Sequence, residues 1–283
     1  MTKKKSVSAP RPATPVPARP QVPIEPIQLK CLGIGDGWAS LDRNHSSFVY
    51  RLGTRNLLVD CGEPVSRSLK AAGIPADAVD DLLLSHLHLD HLGGYFMLIQ
   101  GLWLEPRRKP LNVYMPAEGI EPVKTLLRTG YIFDELLQFP ITYQPLKAGV
   151  AFTCGNARVT AYRNTHLDRL RAQFQAKYPQ PFESFSFLFE VGGRRVAHSA
   201  DIGAVEDLDV LLRAPVEALV CELAHLEPRR LFEYLRGKPI KRVIFIHLGR
   251  AQWSSQATLR DLAFANLGGI PCSFARDGEA FVI

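Results

Sequence analysis

The sequence predicts an α/β fold in which two mixed β-sheets are covered by helices. Short apolar runs of strand length recur along the chain, and several are separated by helical stretches, as in sheets with parallel strands. Other runs are joined by two-residue turns that predict antiparallel hairpins, and Gly192-Gly193 is the clearest of these. Several strands end in a histidine or an acidic residue, so these side chains should meet at one edge of the sheets.

The individual elements follow from apolar periodicity and from the glycines that interrupt it. Gly53-Thr54 joins the first predicted hairpin, and Gly73 closes the first predicted helix. Residues 131–150 show neither the two-residue apolar period of a strand nor the 3.6-residue period of a helix. We predict strands over 27–34, 46–52, 56–60, 82–84, 112–115, 150–154, 158–163, 184–191, 194–199, 218–221 and 242–246. We predict helices over 65–72, 94–104, 119–127, 208–212 and 228–235.

The composition predicts a disordered, Pro-rich basic tail over residues 1–26 and one domain over residues 27–283. The first 30 residues contain seven Pro and no aromatic residue, so they have little with which to form a core. They also carry six Lys or Arg and one Glu, which is most of the net charge of +6. The domain itself is near neutral, and its charge does not indicate a nucleic-acid partner. No apolar core follows the basic start, so no secretory signal is predicted.

The five cysteines predict reduced, buried thiols in a cytoplasmic protein, because they are odd in number and lack C-x-x-C spacing. No run approaches 18 consecutive apolar residues, so no membrane span is expected. A homodimer is compatible with the sequence. The cysteines are Cys31, Cys61, Cys154, Cys221 and Cys272.

The stretch Ser85-His86-Leu87-His88-Leu89-Asp90-His91 is the centre of the predicted site. It holds three of the eight histidines of the chain and follows a buried strand. Side chains two apart in an extended segment point the same way, so His86 and His88 can bind one metal ion. Asp90 and His91 lie where the chain turns and can reach a second ion beside the first.

Other predicted strand ends supply further histidine and acidic side chains. A lone histidine is usually an ordinary core or surface residue, but a site with four candidate ligands needs more of them. The ensemble therefore indicates a binuclear metal site. Asp60 could orient a ligand imidazole or could instead cap a helix or turn. The residues concerned are Asp60, His166, His198, Asp201, Glu222, His225 and His247.

The pattern His86-x-His88-x-Asp90-His91, followed by His166, Asp201 and His247, resembles the ligand set of the metallo-β-lactamase superfamily over residues 27–283. The resemblance implies an α/β fold of the four-layer αββα sandwich type. It implies that His86, His88 and His166 hold one ion and that Asp90, His91 and His247 hold the other, with Asp201 bridging both. It also implies that Asp60 supports the ligands of the first ion.

Within the superfamily, Asp201 in place of Cys at the bridging position is similar to phosphodiesterase-type members. The segments Gly33-Ile34-Gly35, Arg43-Asn44-His45-Ser46-Ser47 and Leu57–Glu63 are similar to ribonuclease Z. Two features differ from that family, namely the lack of a Gly/Pro-rich insertion before His166 and of a downstream His-Ser-Thr signature. The glycine-rich stretch 33–37 predicts a loop beside the site, with phosphate binding as the alternative.

The donor set predicts the chemistry of the site. Imidazole and carboxylate donors without thiolate favour two Zn²⁺ ions, with Mn²⁺ or iron as alternatives. A hydroxide held between the ions would attack a phosphodiester or related ester. We predict that His225 protonates the leaving alkoxide and that Asp90 takes part in catalysis. Glu222 is expected to support the ligands from behind, as is Asp60. His198 and His45 are each expected to be supporting or structural, and we place His198 among the supporting residues.

Two other functions remain open from the sequence. One is ribonuclease Z-type RNA cleavage, for which Arg107-Arg108-Lys109 and Arg194-Arg195 would contact phosphates. The other is a non-hydrolytic metal-binding or redox member of the superfamily. The expected substrate is a small-molecule or nucleotide phosphodiester, in preference to RNA.

Overall fold

A computed structural model describes residues 26–283, so the predicted tail, residues 1–26, lies outside the described part except for Pro26. Fourteen strands are present in this part of the chain. The strands are β1 Gln28–Gly33, β2 Ser47–Leu52, β3 Arg55–Val59, β4 Asp81–Leu83, β5 Leu111–Met115, β6 Ile141–Pro145, β7 Ala151–Cys154, β8 Ala157–Arg163, β9 Phe185–Val191, β10 Arg194–His198, β11 Ala218–Glu222, β12 Val243–Ile246, β13 Cys272–Phe274 and β14 Ala280–Val282.

Eight α-helices lie between these strands in the described residues. The helices are α1 Val65–Ala71, α2 Leu89–Leu92, α3 Tyr95–Leu104, α4 Ile120–Thr129, α5 Asp168–Phe174, α6 Pro228–Leu235, α7 Arg250–Ser254 and α8 Gln256–Asn266. Short 3₁₀ turns cover Ala76–Ala78, Ala117–Gly119, Asp134–Leu136 and Val205–Leu208. No helix among the residues described is long and apolar enough to cross a membrane.

The strands form two seven-stranded sheets with matching construction. The first has the order β14-β1-β2-β3-β4-β5-β6 and the second the order β13-β12-β11-β10-β9-β8-β7. In each sheet one half is antiparallel and the other half, β3 to β6 or β10 to β13, is parallel. The strands β3 and β4 therefore end at one edge of the first sheet, and β8, β10, β11 and β12 end at one edge of the second.

Three apolar clusters separate four layers. The central cluster packs the inner faces of the two sheets together, for example Phe48 and Tyr50 of the first against Phe187 and Phe189 of the second. A second cluster covers the outer face of the first sheet with α1, α3 and α4, and a third covers the second sheet with α6 and α8. The predicted αββα sandwich is thus confirmed.

Several regions differ from the predictions. The helices α5, α7 and α8 and the strands β13 and β14 were not predicted. The unassigned stretch 131–150 contains β6, an edge strand whose residues are mostly exposed, so it lacks the apolar alternation that marks a buried strand. The predicted helix over 208–212 is instead a 3₁₀ turn, Val205–Leu208, followed by hydrogen-bonded turns. All five cysteines are free thiols, and all except Cys272 are buried.

Candidate metal centre

The predicted ligands come from strand ends of both sheets and meet at one edge of the sandwich. The loops after β4 and β3 bring His86–His91 and Asp60, and those after β8, β10 and β12 bring His166, Asp201 and His247. Asp60, Ala200 and His247 have positive φ angles, so the chain turns sharply as each strand ends. This backbone conformation is uncommon for residues with a Cβ and clusters at functional sites.

One group consists of His86, His88 and His166. The Nδ1 atom of His88 lies 3.0 Å from His86 Nε2 and 3.2 Å from His166 Nε2. The extended spacing of His86 and His88 places both rings on one side of the chain, as predicted from the sequence. These three nitrogens lie close enough together to bind one ion.

A second group consists of Asp90, His91, Asp201 and His247. The Asp90 Oδ2 atom lies 3.5 Å from His91 Nε2 and 3.8 Å from His247 Nε2. Asp90 and His91 belong to α2, a single turn that begins just after His88 and redirects the chain. The loop after β3 packs closely here, because a Cβ on Gly62 would lie 2.2 Å from the Asp90 carbonyl oxygen.

Asp201 lies between the two groups. Its Oδ2 atom is surrounded by nitrogens of five histidines, which come from both groups and include His225. These distances are 3.2 Å to His91, 3.4 Å to His247, 3.7 Å to His225, 3.8 Å to His166 and 3.9 Å to His86. A carboxylate in this position can contact ions in both groups.

Asp60 holds two of the histidines, one directly and one through Ser85. Its Oδ2 atom accepts a 2.7 Å hydrogen bond from His91 Nδ1–H and a 3.0 Å bond from the Ser85 hydroxyl. Ser85 Oγ in turn lies 3.0 Å from His86 Nδ1. These bonds place Nδ1–H on both rings and leave each Nε2 lone pair facing the centre. The resemblance assigned Asp60 to the first ion, whereas its direct contact is with His91 of the second group.

Two further residues that the sequence did not single out support the centre. Ser46 Oγ lies 2.8 Å from His247 Nδ1, so the serine orients that ring as Asp60 orients His91. Ser85 links His86 to Asp60 as described. Both serines sit next to a histidine in the sequence, and this adjacency is the one signal that could have identified them. His45 is half-buried, and its Nδ1–H donates to the Asp36 carbonyl oxygen at 2.8 Å.

Burial and the carboxylates set opposite protonation tendencies within the centre. Burial lowers the pKa of His86 and that of His166, the latter to about 3, although Asp201 opposes the effect. Burial acts in the same direction on His91, but the Asp201 and Asp60 carboxylates outweigh it and raise the His91 pKa well above its usual value. Burial would raise the pKa of Asp201, but the His247 and His91 imidazoles keep it well below its usual value.

Glu222 and His225 form a pair at the side of the centre. Glu222 is fully buried and accepts hydrogen bonds from the backbone N–H of Ile202 and from both the backbone N–H and the Nδ1–H of His225. The His225 ring packs on His166 and stacks on His247. Burial lowers the pKa of His225, but the hydrogen bond and charge of Glu222, together with Asp201, raise it to about 9.

His198 does not support a ligand, which differs from the prediction. It is buried in the core between the sheets, where its Nδ1 lies 2.9 Å from the Tyr50 hydroxyl and its ring packs edge-on against Phe48. His198 shares a strand face with Val196, which belongs to the same core, so the alternation of β10 turns it inward.

Arg107, Arg194 and Arg195 of the basic runs lie near the starts of strands whose ends carry the centre. Arg107 is buried and donates to the carbonyl oxygens of Val79, Lys109 and Pro110, near the start of β4, whereas His86 follows the end of that strand. Arg194 and Arg195 begin β10, and Asp201 follows its end. Arg107 and Arg194-Arg195 therefore lie near strand starts, opposite the strand ends that carry the centre.

The buried polar atoms of the centre fit divalent cations. Asp201 Oδ1 and His91 Nε2 are buried and have no well-aligned hydrogen bond to any other residue in the range 26–283. Unsatisfied buried acceptors are costly unless another group binds them. Nitrogen and carboxylate donors at this density suit Zn²⁺, and also Mn²⁺ or iron.

Comparisons with known proteins agree with this fold. A family model described as "Anti-Pycsar protein Apyc1" matches residues 27–223. Ribonuclease Z of Methanothermobacter thermautotrophicus is 30% identical over 140 residues, which cover 50% of this chain and 45% of that protein. The chain thus aligns with about half of the length of this relative.

Solved structures match over almost the whole chain. The metallo-β-lactamase fold protein YhfI from Bacillus subtilis has a TM-score of 0.73 and 19% identity, covering 91% of this chain and 99% of that one. Human tRNase Z, short form, has a TM-score of 0.69 and 18% identity, covering 90% and 99%. The metallo-β-lactamase fold predicted from the ligand pattern is therefore confirmed.

Proposed function

Because the chain belongs to the family described as Anti-Pycsar protein Apyc1 and has the metallo-β-lactamase fold, we propose that it is a metal-dependent hydrolase of a small phosphodiester. The observation that carries the proposal is the position of Asp201 Oδ2, which has the nitrogens of five histidines within 3.9 Å. A buried carboxylate surrounded in this way suits two adjacent cations better than a structural role.

His86, His88 and His166 would hold one ion, Asp90, His91 and His247 the other, and Asp201 both. Divalent ions bound there would lower the pKa of a water from about 15.7 towards roughly 7 and neutralise charge on the phosphate. We favour Zn²⁺ on the basis of the histidine-rich donor set. Asp60 and Ser85 hold His91 and His86 in the tautomer that leaves an Nε2 lone pair for the ion, and Ser46 hydrogen-bonds to the His247 ring.

His225 is the proposed general acid. Its ring lies beside Asp201 at the centre. Glu222 accepts a hydrogen bond from the ring Nδ1–H, which fixes the ring orientation, and another from the His225 backbone N–H. The Glu222 carboxylate also favours the protonated imidazole, which can give a proton to the leaving alkoxide. The side chain of Glu222 is buried and therefore acts on His225 and not on the substrate.

Ribonuclease Z-type cleavage of RNA is the second candidate, and the identity to a ribonuclease Z favours it. A long RNA needs basic surface along its path. The runs Arg107-Arg108-Lys109 and Arg194-Arg195 lie near strand starts, opposite the strand ends that carry the centre, whereas Arg229-Arg230 begins α6 shortly after His225. We rank a small phosphodiester first because only one of these three runs closely follows a residue of the centre.

The test combines metal analysis with hydrolysis of bis-p-nitrophenyl phosphate by the wild type, Asp201→Ala, His225→Ala and the exposed control Asp209→Ala. We expect two metal ions per chain in the wild type and a loss of both metal and activity in Asp201→Ala. His225→Ala should keep its metal. Its activity should fall by roughly 10²–10⁴-fold on a dinucleotide, whose alkoxide leaving group needs a proton, and much less on bis-p-nitrophenyl phosphate, whose p-nitrophenolate leaves without one.

Other outcomes separate the alternatives. A single iron per chain with no phosphodiesterase activity would contradict the proposal and favour a non-hydrolytic member. Cleavage of a tRNA precursor by the full chain, with no activity on small diesters, would favour the ribonuclease.

A further inference from the structure

We propose that Asp207 is a positioning residue of the metal centre, because its carboxylate ties together the two loops that carry His166 and Asp201 and so sets the spacing of these ligands. The inference rests on the metal centre of the proposed function and adds a residue that acts through two of its ligands. Asp207 is half-buried in the 3₁₀ turn Val205–Leu208, six positions after Asp201.

A single oxygen atom of Asp207 connects the two loops. Its Oδ2 atom accepts hydrogen bonds from the Thr165 hydroxyl at 2.8 Å and from the Thr165 backbone N–H at 3.1 Å. The same atom accepts the backbone N–H of Gly203 at 3.1 Å and that of Ala204 at 3.2 Å. The bond to Ala204 caps the turn, but the bonds to Thr165 reach across 42 positions to the residue before His166. Hydrogen bonds to a carboxylate are roughly twice as strong as those between neutral groups.

The backbone after Asp201 is fixed at three consecutive residues. The N–H of Ile202 donates to Glu222, and the next two N–H groups donate to Asp207. The loops also touch at Gly203, where a Cβ would lie 2.5 Å from the Thr165 carbonyl oxygen. The bonds keep the two loops from separating, and the close contact keeps them from approaching further.

His166 depends on this anchoring more than the other ring ligands do. Side chains described above bond to Nδ1 of His86, His91 and His247, whereas no residue in the described part of the chain bonds to His166 Nδ1. Its position is therefore set by the loop backbone, which is tied to Asp207 one residue earlier. Metal–ligand distances are defined to about 0.2 Å, so a small shift of this loop would weaken binding.

The experiment is a titration of the chelator-treated full chain with Zn²⁺ in competition with a chromophoric chelator, which needs no hydrolysis. Asp207→Ala removes the acceptor. Asp207→Asn can keep a carbonyl oxygen at the Oδ2 position, and its NH₂ then replaces Oδ1, which accepts no hydrogen bond from the described residues. Gly203→Ala keeps the carboxylate and pushes the loops apart. The control is Asp209→Ala, an exposed residue of the same region paired with Lys238.

We expect Asp207→Ala and Gly203→Ala each to weaken the binding of at least one Zn²⁺ equivalent tenfold or more, as loss of a supporting group does. Asp207→Asn and Asp209→Ala should stay within about threefold of the wild type, because a purely structural carboxylate charge is not what positions the loops. Wild-type affinity at both equivalents in Asp207→Ala or in Gly203→Ala would overturn the assignment, as would an equal loss in Asp207→Asn and Asp207→Ala. If Asp207→Ala does not fold, Gly203→Ala decides alone.

The titration also separates this inference from the proposed function. A wild type that binds two Zn²⁺ ions but cleaves no phosphodiester contradicts the proposed function only, and the affinities of the variants still decide the role of Asp207. A wild type that binds neither Zn²⁺ nor Mn²⁺ overturns both.

Discussion

Replacing Asp60 by Asn should weaken metal binding without disturbing the backbone. Asp60 is buried and has a φ of 57°, a conformation that Asn tolerates and most other residues do not. The substitution keeps the shape of the side chain. It removes an acceptor, because an amide nitrogen would face the donors on His91 Nδ1 and Ser85 Oγ.

The size of the effect follows from the bonds that are lost. In Asp60→Asn, the amide N–H would face the His91 Nδ1–H. His91 can relieve this repulsion by carrying its proton on Nε2 instead, but that proton points into the centre and must leave before an ion binds. Hydrogen bonds to charged groups contribute about 1.5–3 kcal/mol. Loss of such a supporting carboxylate typically costs 10–100-fold in metal affinity, or about 1.4–2.7 kcal/mol.

The assay is titration of the chelator-treated protein with Zn²⁺ in competition with a chromophoric chelator. Asp60→Asn should lower the affinity at both equivalents, because Asp60 reaches His91 directly and His86 through Ser85. Ser85→Ala should affect only one equivalent. Asp209→Asn, an exposed residue paired with Lys238, is the control. Wild-type affinity at both equivalents in Asp60→Asn would refute the role assigned to Asp60.

Two further predictions concern pH. Glu222→Gln removes the charge that raises the His225 pKa, so the alkaline limb of the kcat/KM profile should move to lower pH, while the exposed Glu227→Gln should leave it in place. An unmoved limb would exclude His225 as the acid. Burial lowers the pKa of His198 in the folded protein to about 4, whereas in the unfolded chain it is about 6.5. As the pH drops from about 6.5 to about 4, the unfolded chain takes up a proton at this residue and the folded protein does not, so the free energy of unfolding should fall. Urea unfolding of the chelator-treated protein at pH 7.5 and 5 should show a loss about 2 kcal/mol smaller in His198→Gln than in the wild type. Equal losses would contradict this assignment.

The candidate ligands could be predicted from the sequence because they depend on local geometry. His86 and His88 alternate on an extended segment, and Asp201 and His247 directly follow strands with clear apolar runs. What was missed depends on contacts between strands. The sequence does not show that Ser85 connects Asp60 to His86, since Asp60 and Ser85 lie 25 positions apart.

The errors have the same origin. His198 was taken as a supporting residue because it lies at a strand end. It lies two positions after Val196, so both side chains point to the same face of β10, which is the core. Arg107 was considered as a phosphate contact. It is buried because three carbonyl oxygens near the start of β4 need a donor, and a guanidinium can reach all three.

The division of the centre between the sheets links metal binding to folding. The first sheet supplies Asp60 and His86–His91, and the second supplies His166, Asp201 and His247. Each ligand group therefore contains residues from both sheets, and neither sheet alone completes either group. An apolar core joins the two sheets, and the Tyr50–His198 hydrogen bond crosses it. A metal that binds only the packed form stabilises it, by about 4.1 kcal/mol at a concentration of 1,000 Kd. Substitutions that loosen this core should therefore weaken metal binding even where they touch no ligand.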